Sequence, residues 1–116
     1  EEAEPVLQEG VKLRPDDGYA HEAWGRFEIR RKRYEEGVAS LRKALELMPE
    51  RADLHYFIGV GYHTLGRFDE ALPHLRKAVE LEPRNQEYAE GAAAICRDAG
   101  KEDLAREFLA RMNPVQ

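Results

Sequence analysis

The nine residues LRKALELMP at positions 41–49 return almost unchanged as LRKAVELEP at positions 75–83. The two copies end on Pro49 and Pro83, and Pro15 stands a further 34 residues upstream. A fixed period of a few tens of residues is the signature of one supersecondary unit stacked on itself. Function in such a chain belongs to a repeated surface.

Within one period, apolar residues recur at helical spacing in two blocks, so each unit holds two helices. In the middle unit the first block runs from Ala52 to Leu65, with Leu54, Ile58, Tyr62 and Leu65 on one stripe. Gly66 then breaks the helix, where positive φ can close the turn. The second block starts at Asp69, whose carboxylate can serve the first amides, and carries Ala71, Leu75, Ala78, Val79 and Leu81 to Pro83. Pro73 falls near its first turn, where a missing amide costs little. The same plan predicts helices over Gly18–Arg31, Tyr34–Leu47, Gln86–Ala99 and Glu102–Met112. Small residues return in register, Gly25, Gly59 and Ala93 in the first helices and Gly37, Ala71 and Ala105 in the second, as close helix approach requires.

Trp24-Gly25, Tyr34, Gly37, Leu41, Ala44 and Pro49, with Ile58-Gly59, Tyr62, Gly66, Phe68, Ala71, Leu75, Ala78 and Pro83, resemble the tetratricopeptide repeat. The third unit keeps Ala93, Gly100, Ala105 and Leu109 but lacks the aromatic after its turn and the closing proline. The resemblance implies an all-α, right-handed superhelical solenoid of antiparallel helix pairs, about seven helices in one domain. Its units are a half repeat at 1–17, repeats at 18–51 and 52–85, and a degenerate C-terminal repeat at 86–116. The half repeat rests on register: Glu1-Glu2-Ala3-Glu4-Pro5 aligns with Asp69-Glu70-Ala71-Leu72-Pro73, which makes the N-terminus the second helix of a unit whose first is absent. A fragment of a larger protein is the expectation, with a natural capping helix as its alternative.

The chain has 116 residues, 42% hydrophobic and 35% charged, with a net charge of -5. That balance argues against a nucleic-acid or anionic-membrane surface, which needs a dominant basic patch. The apolar stretches are too short to cross a bilayer. One cysteine, Cys96, excludes an internal disulfide and a Cys-rich zinc module. A cytoplasmic location is the expectation.

No nucleophile elbow, phosphate loop, dinucleotide fingerprint or zinc-protease motif appears. His21 and His55 are register equivalents without a second ligand pair at metal spacing. His74 reads as an exposed residue beside Leu75, and Cys96 as an inert thiol facing the core. Glu35-Glu36 and Asp69-Glu70 sit at helix starts, where the dipole explains them. No catalytic residue, metal ligand or cofactor site is expected, and the chain is not read as an enzyme.

Residues off the core stripe of the first helices should line a concave groove. They are Tyr19, Glu22, Arg26, Ile29 and Arg30 in the first unit, and Asp53, Tyr56, Phe57, Val60, His63 and Thr64 in the second. In the third they are Glu87, Glu90, Ala94, Arg97 and Asp98. Tyr56, Phe57 and Val60 are excess hydrophobes and, with His63, mark the centre of a partner site, although Phe57 has packing against the preceding repeat as its alternative. The family resemblance implies a protein-interaction scaffold that binds a peptide or partner helix there. It also implies that the chaperone-tail clamp of some family members is missing, since its places hold Glu22, Arg26, Phe57, Glu87 and Gly91. Phe108, Leu109 and Met112 at one end, and Val6, Leu7 and Val11 at the other, should form apolar faces open to weak self-association. Two further readings are a non-catalytic, substrate-selecting repeat region of a glycosyltransferase- or methyltransferase-like enzyme, and an assembly module working through its ends.

Overall fold

In a computed structural model of the chain, which describes residues 3–112 and the side chains of 3–110, seven helices follow one another with no strand among the described residues. They are α1 (Ala3–Leu13), α2 (Gly18–Arg30), α3 (Tyr34–Leu47), α4 (Ala52–Thr64), α5 (Phe68–Leu81), α6 (Gln86–Asp98) and α7 (Glu102–Met112). Glu1 and Glu2, on which part of the N-terminal register rests, lie outside the described residues, as does the Met112 side chain. Each helix packs chiefly on its neighbours in sequence, α2 on α3, α4 on α5 and α6 on α7, giving an elongated body of 50 × 25 × 21 Å.

The turns inside the pairs share one device. The amides of Arg33, Arg67 and Lys101 donate to the carbonyls of Glu28, Tyr62 and Cys96, at 2.8, 2.8 and 2.7 Å. That bond needs the preceding residue in the left-handed region. Gly66 and Gly100 take it at φ 78° and 77°, and Lys32 takes it at φ 65°. At helix starts, the Asp17 side chain accepts from the Tyr19 amide and the Asn85 side chain from the Tyr88 amide. Helix α5 begins at Phe68 after Arg67, which makes no side-chain cap, so Asp69 lies inside the first turn instead of capping it. Pro73 is the sixth residue of α5, just past its first turn, and the carbonyl of exposed Asp69 has no helical amide to accept from there.

The core runs through the pairs: Leu41 and Val38 on α3, Leu54 and Ile58 on α4, Leu75 and Val79 on α5, Ile95 and Cys96 on α6, Phe108 on α7. Small residues bring the backbones together. An ideal Cβ on Gly25 would stand 3.1 Å from the Gly37 carbonyl oxygen, and one on Gly37 would stand 3.1 Å from that of Gly25. Two sequence expectations change. Phe108 is only 2% exposed, so it closes the α6–α7 pair and leaves half-buried Leu109 to the outer face. His74 is half-buried against Tyr62, with ring centroids 5.9 Å apart. At the N-terminal end Val6 is 71% exposed, while Leu7 and Val11 are half-buried.

Candidate functional site

The first helices α2, α4 and α6 meet along one face, and their off-stripe residues make two groups there. One is ionic. Arg26 reaches Glu22 at 3.0 Å and Asp53 at 3.6 Å, and Arg51 reaches the same carboxylates at 2.9 and 2.7 Å. Arg51 holds the Asp53 carboxyl below the usual carboxylate range, and its own guanidinium is raised by Asp53 and Glu22. Arg26 also lies over the Phe57 ring, 4.3 Å from its centroid, a cation–π contact that positions both. Glu22, Arg26, Asp53 and Phe57 thus come together as read from sequence.

The second group is a pocket of about 230 Å³ between α2, α3 and α4. Arg26, Ile29 and Arg30 line it from α2, Tyr34 and Leu41 from α3, and Phe57, Val60, Gly61 and Thr64 from α4. Gly61 lets α4 approach α3, since an ideal Cβ there would stand 2.5 Å from Val38 Cγ2. Phe57 is 36% exposed at this pocket. Arg30 is exposed at its rim and, among the described residues, is engaged by no carboxylate.

Tyr56 and His63 stand elsewhere. Tyr56 stacks on Tyr88, centroids 4.7 Å apart, with its hydroxyl over Gly91, where an added Cβ would collide with it. Burial pushes its phenol pKa up. His63 Nε2 lies 2.9 Å from Asp98 Oδ2. Both side chains couple α4 to α6, so the apolar centre moves one residue, from Tyr56 to Phe57. Of the remaining groove residues, Tyr19 is 68% exposed under Arg51, Glu90 accepts from Gln86 Nε2 at 2.8 Å, and Arg97 pairs with Glu102 at 3.3 Å. None of these three lines the pocket. Sequence reasoning missed Arg51, Tyr34, Leu41 and Gly61. Arg51 had a signal, because its register equivalents Asp17 and Asn85 are both side-chain caps and an arginine there is out of pattern.

A polar trio, buried His21 and Glu28 with half-buried Ser40, has the residue types of a hydrolase but not the wiring. Ser40 Oγ donates directly to Glu28 Oε1 at 2.6 Å, and His21 Nε2 faces the Pro15 carbonyl at 2.8 Å. Burial raises the Glu28 carboxyl above its ordinary value, opposed by the Ser40 hydroxyl. The folded state therefore keeps this proton to higher pH than the unfolded chain does. Its stabilising contribution is complete below the ordinary Glu range and is lost as pH rises through the raised value. Glu28→Gln removes the buried charge and retains an acceptor for Ser40. Its melting temperature should match wild type near pH 4 and exceed it at pH 7, by on the order of 1 kcal/mol in stability. Calorimetric scans of both proteins across that range check the sign.

Two profiles described as tetratricopeptide repeat match the chain, at residues 18–84 and 58–113. No curated protein sequence matches it. Among solved structures, a crystal structure of MamA is 20% identical over 95% of this chain, with TM-score 0.86. MamA AMB-1 is 23% identical over 96%, with TM-score 0.83, and the MamA RS-1 ArsTM double mutant is 22% identical over 96%, with TM-score 0.87. The chain spans 64%, 61% and 62% of those three chains. At such identity the likeness is one of fold. No helix among the described residues is long and apolar enough to cross a membrane.

Proposed function

The chain belongs to the tetratricopeptide repeat family, and from that premise we propose that it is a non-catalytic scaffold that captures a partner peptide or helix by one apolar side chain. That side chain enters the pocket between α2, α3 and α4, and an acidic group beside it meets Arg30. The observation that carries this reading is the pocket itself, walled by Ile29, Leu41, Phe57 and Val60, with a cation at its rim. Concave, mostly apolar sites with a few placed polar groups are where ligands bind. Arg26 is committed to Glu22, Asp53 and the Phe57 ring, so it shapes the wall while Arg30 supplies the readable charge.

A random peptide library displayed on phage and selected on the protein tests this. The enriched sequences should share an aliphatic or aromatic residue next to Asp or Glu. Val60→Arg fills the pocket with the residue that the register places at Arg26, so α4 should keep its helicity. Binding of the enriched peptides should then fall more than tenfold, a loss above about 1.4 kcal/mol. Arg30→Glu should turn the selection toward basic neighbours. Peptides that bind Val60→Arg as tightly as wild type would remove the pocket from the site.

A further inference from the structure

Every repeat builds a slot between its two helices from three register-equivalent residues. These are His21, Glu28 and Ser40 in the first repeat, His55, Tyr62 and His74 in the second, and Ala89, Cys96 and Phe108 in the third. The third set is wholly buried, so filling the slot requires no ring nitrogen. The middle repeat nonetheless brings two imidazoles together from α4 and α5. Their Nδ1 atoms lie 3.3 Å apart and their centroids 5.4 Å, so the rings meet nearly end to end.

The neighbours fix the protons. His55 Nε2 faces the Pro49 carbonyl at 3.4 Å, as His21 Nε2 faces that of Pro15 at 2.8 Å. A carbonyl only accepts, so Nε2 carries the hydrogen and His55 Nδ1 presents a lone pair, to which His74 Nδ1–H donates.

Two imidazole nitrogens on one tetrahedral ion, at bond lengths near 2.0–2.1 Å, stand about 3.3 Å apart. We propose that His55 and His74 form a bidentate site, through both Nδ1 atoms, for a divalent transition ion that favours imidazole: Zn2+, Ni2+ or Cu2+. Turning each ring by roughly 35° off the Nδ1–Nδ1 line aims both lone pairs at one ion, and His74 moves its hydrogen from Nδ1 to Nε2. The Pro49 carbonyl keeps hold of His55 Nε2–H, the outer-shell partner that a metal-bound imidazole ordinarily has. A cleft of about 410 Å³ opens beside the pair. Its charged residues are Arg42, Lys77, Glu46 and Glu50, two of each sign. No group of three or more ligand side chains gathers among the described residues, so water completes the shell and affinity falls below that of a closed structural site.

The test uses Zn2+ and Ni2+ as their chlorides, at pH 7.5. Zn2+ should raise the melting temperature and EDTA should reverse the rise. The double substitution His55→Ala with His74→Phe installs the residues of the third repeat, so it should stay helical. It should lose the Zn2+ response and bind Ni2+ at least tenfold more weakly by calorimetry. His63→Ala should change neither readout. In wild type, paramagnetic Ni2+ should broaden the ring resonances of His55 and His74 first. Broadening confined to other residues, equal binding by the double variant, or no wild-type binding up to millimolar ion would each overturn the site.

Discussion

Leu75→Ala is expected to lower the free energy of unfolding by about 3 kcal/mol, and adding Gly59→Ala is expected to return part of that loss. Leu75 is fully buried on α5 and lies across Gly59 of α4. A Cβ built on Gly59 would stand 2.7 Å from Leu75 Cδ2 and 2.9 Å from Leu75 Cγ. In the wild type, Gly59→Ala therefore overpacks the crossing and should destabilise by roughly 1–2 kcal/mol, although alanine favours the helix by about 1 kcal/mol. Once Leu75 is shortened, the new methyl enters the vacated space and the helical preference is expressed. The double variant should then be more stable than the sum of the single losses, by about 2 kcal/mol. Urea titrations of the four proteins measure this coupling. Additive losses would mean that α4 and α5 do not meet at this pair.

Gly25→Val should be about as damaging, near 3 kcal/mol, for a different reason. The atoms facing Gly25 are Leu41 Cγ and Cδ2 at 3.0 Å and the Gly37 carbonyl oxygen at 3.1 Å. A leucine can change rotamer, but a carbonyl inside a helix cannot withdraw. Gly10→Ala provides the matched control, because nothing lies within 4 Å of a Cβ there. That substitution should raise stability by roughly 0.5–1 kcal/mol through helical propensity alone. A Gly25→Val midpoint in urea equal to wild type would show that the α2–α3 crossing is looser than a backbone contact.

The 34-residue register made the helices and the core legible, because it dates every residue within its unit. Leu54, Ile58, Leu75 and Cys96 could be placed inside from spacing alone. His74 and Phe108 were misplaced although they share one register position, which Ser40 also holds. Reading His74 by its helical neighbours concealed a slot that the register would have shown. The inward turn of Tyr56 was beyond reach, since it follows from how closely α4 passes Gly91 on α6. Helix crossings are set by packing between units, and one unit's sequence does not contain them. The pocket was half legible for the same reason: Arg26, Ile29, Arg30, Phe57, Val60 and Thr64 lie off the stripe, whereas Leu41 and Gly61 belong to the core and line it from below.

Lys32 occupies the turn position that Gly66 and Gly100 take freely, and it does so with a side chain. A left-handed conformation costs such a residue about 1–2 kcal/mol, and the chain recovers that energy whenever the turn opens. The same hairpin holds the buried Glu28. It also provides two of the three walls of the pocket. Strain is thus confined to the turn, while the α2–α3 crossing beside it, closed by Gly25 and Gly37, leaves the wall that a ligand would meet no room to give.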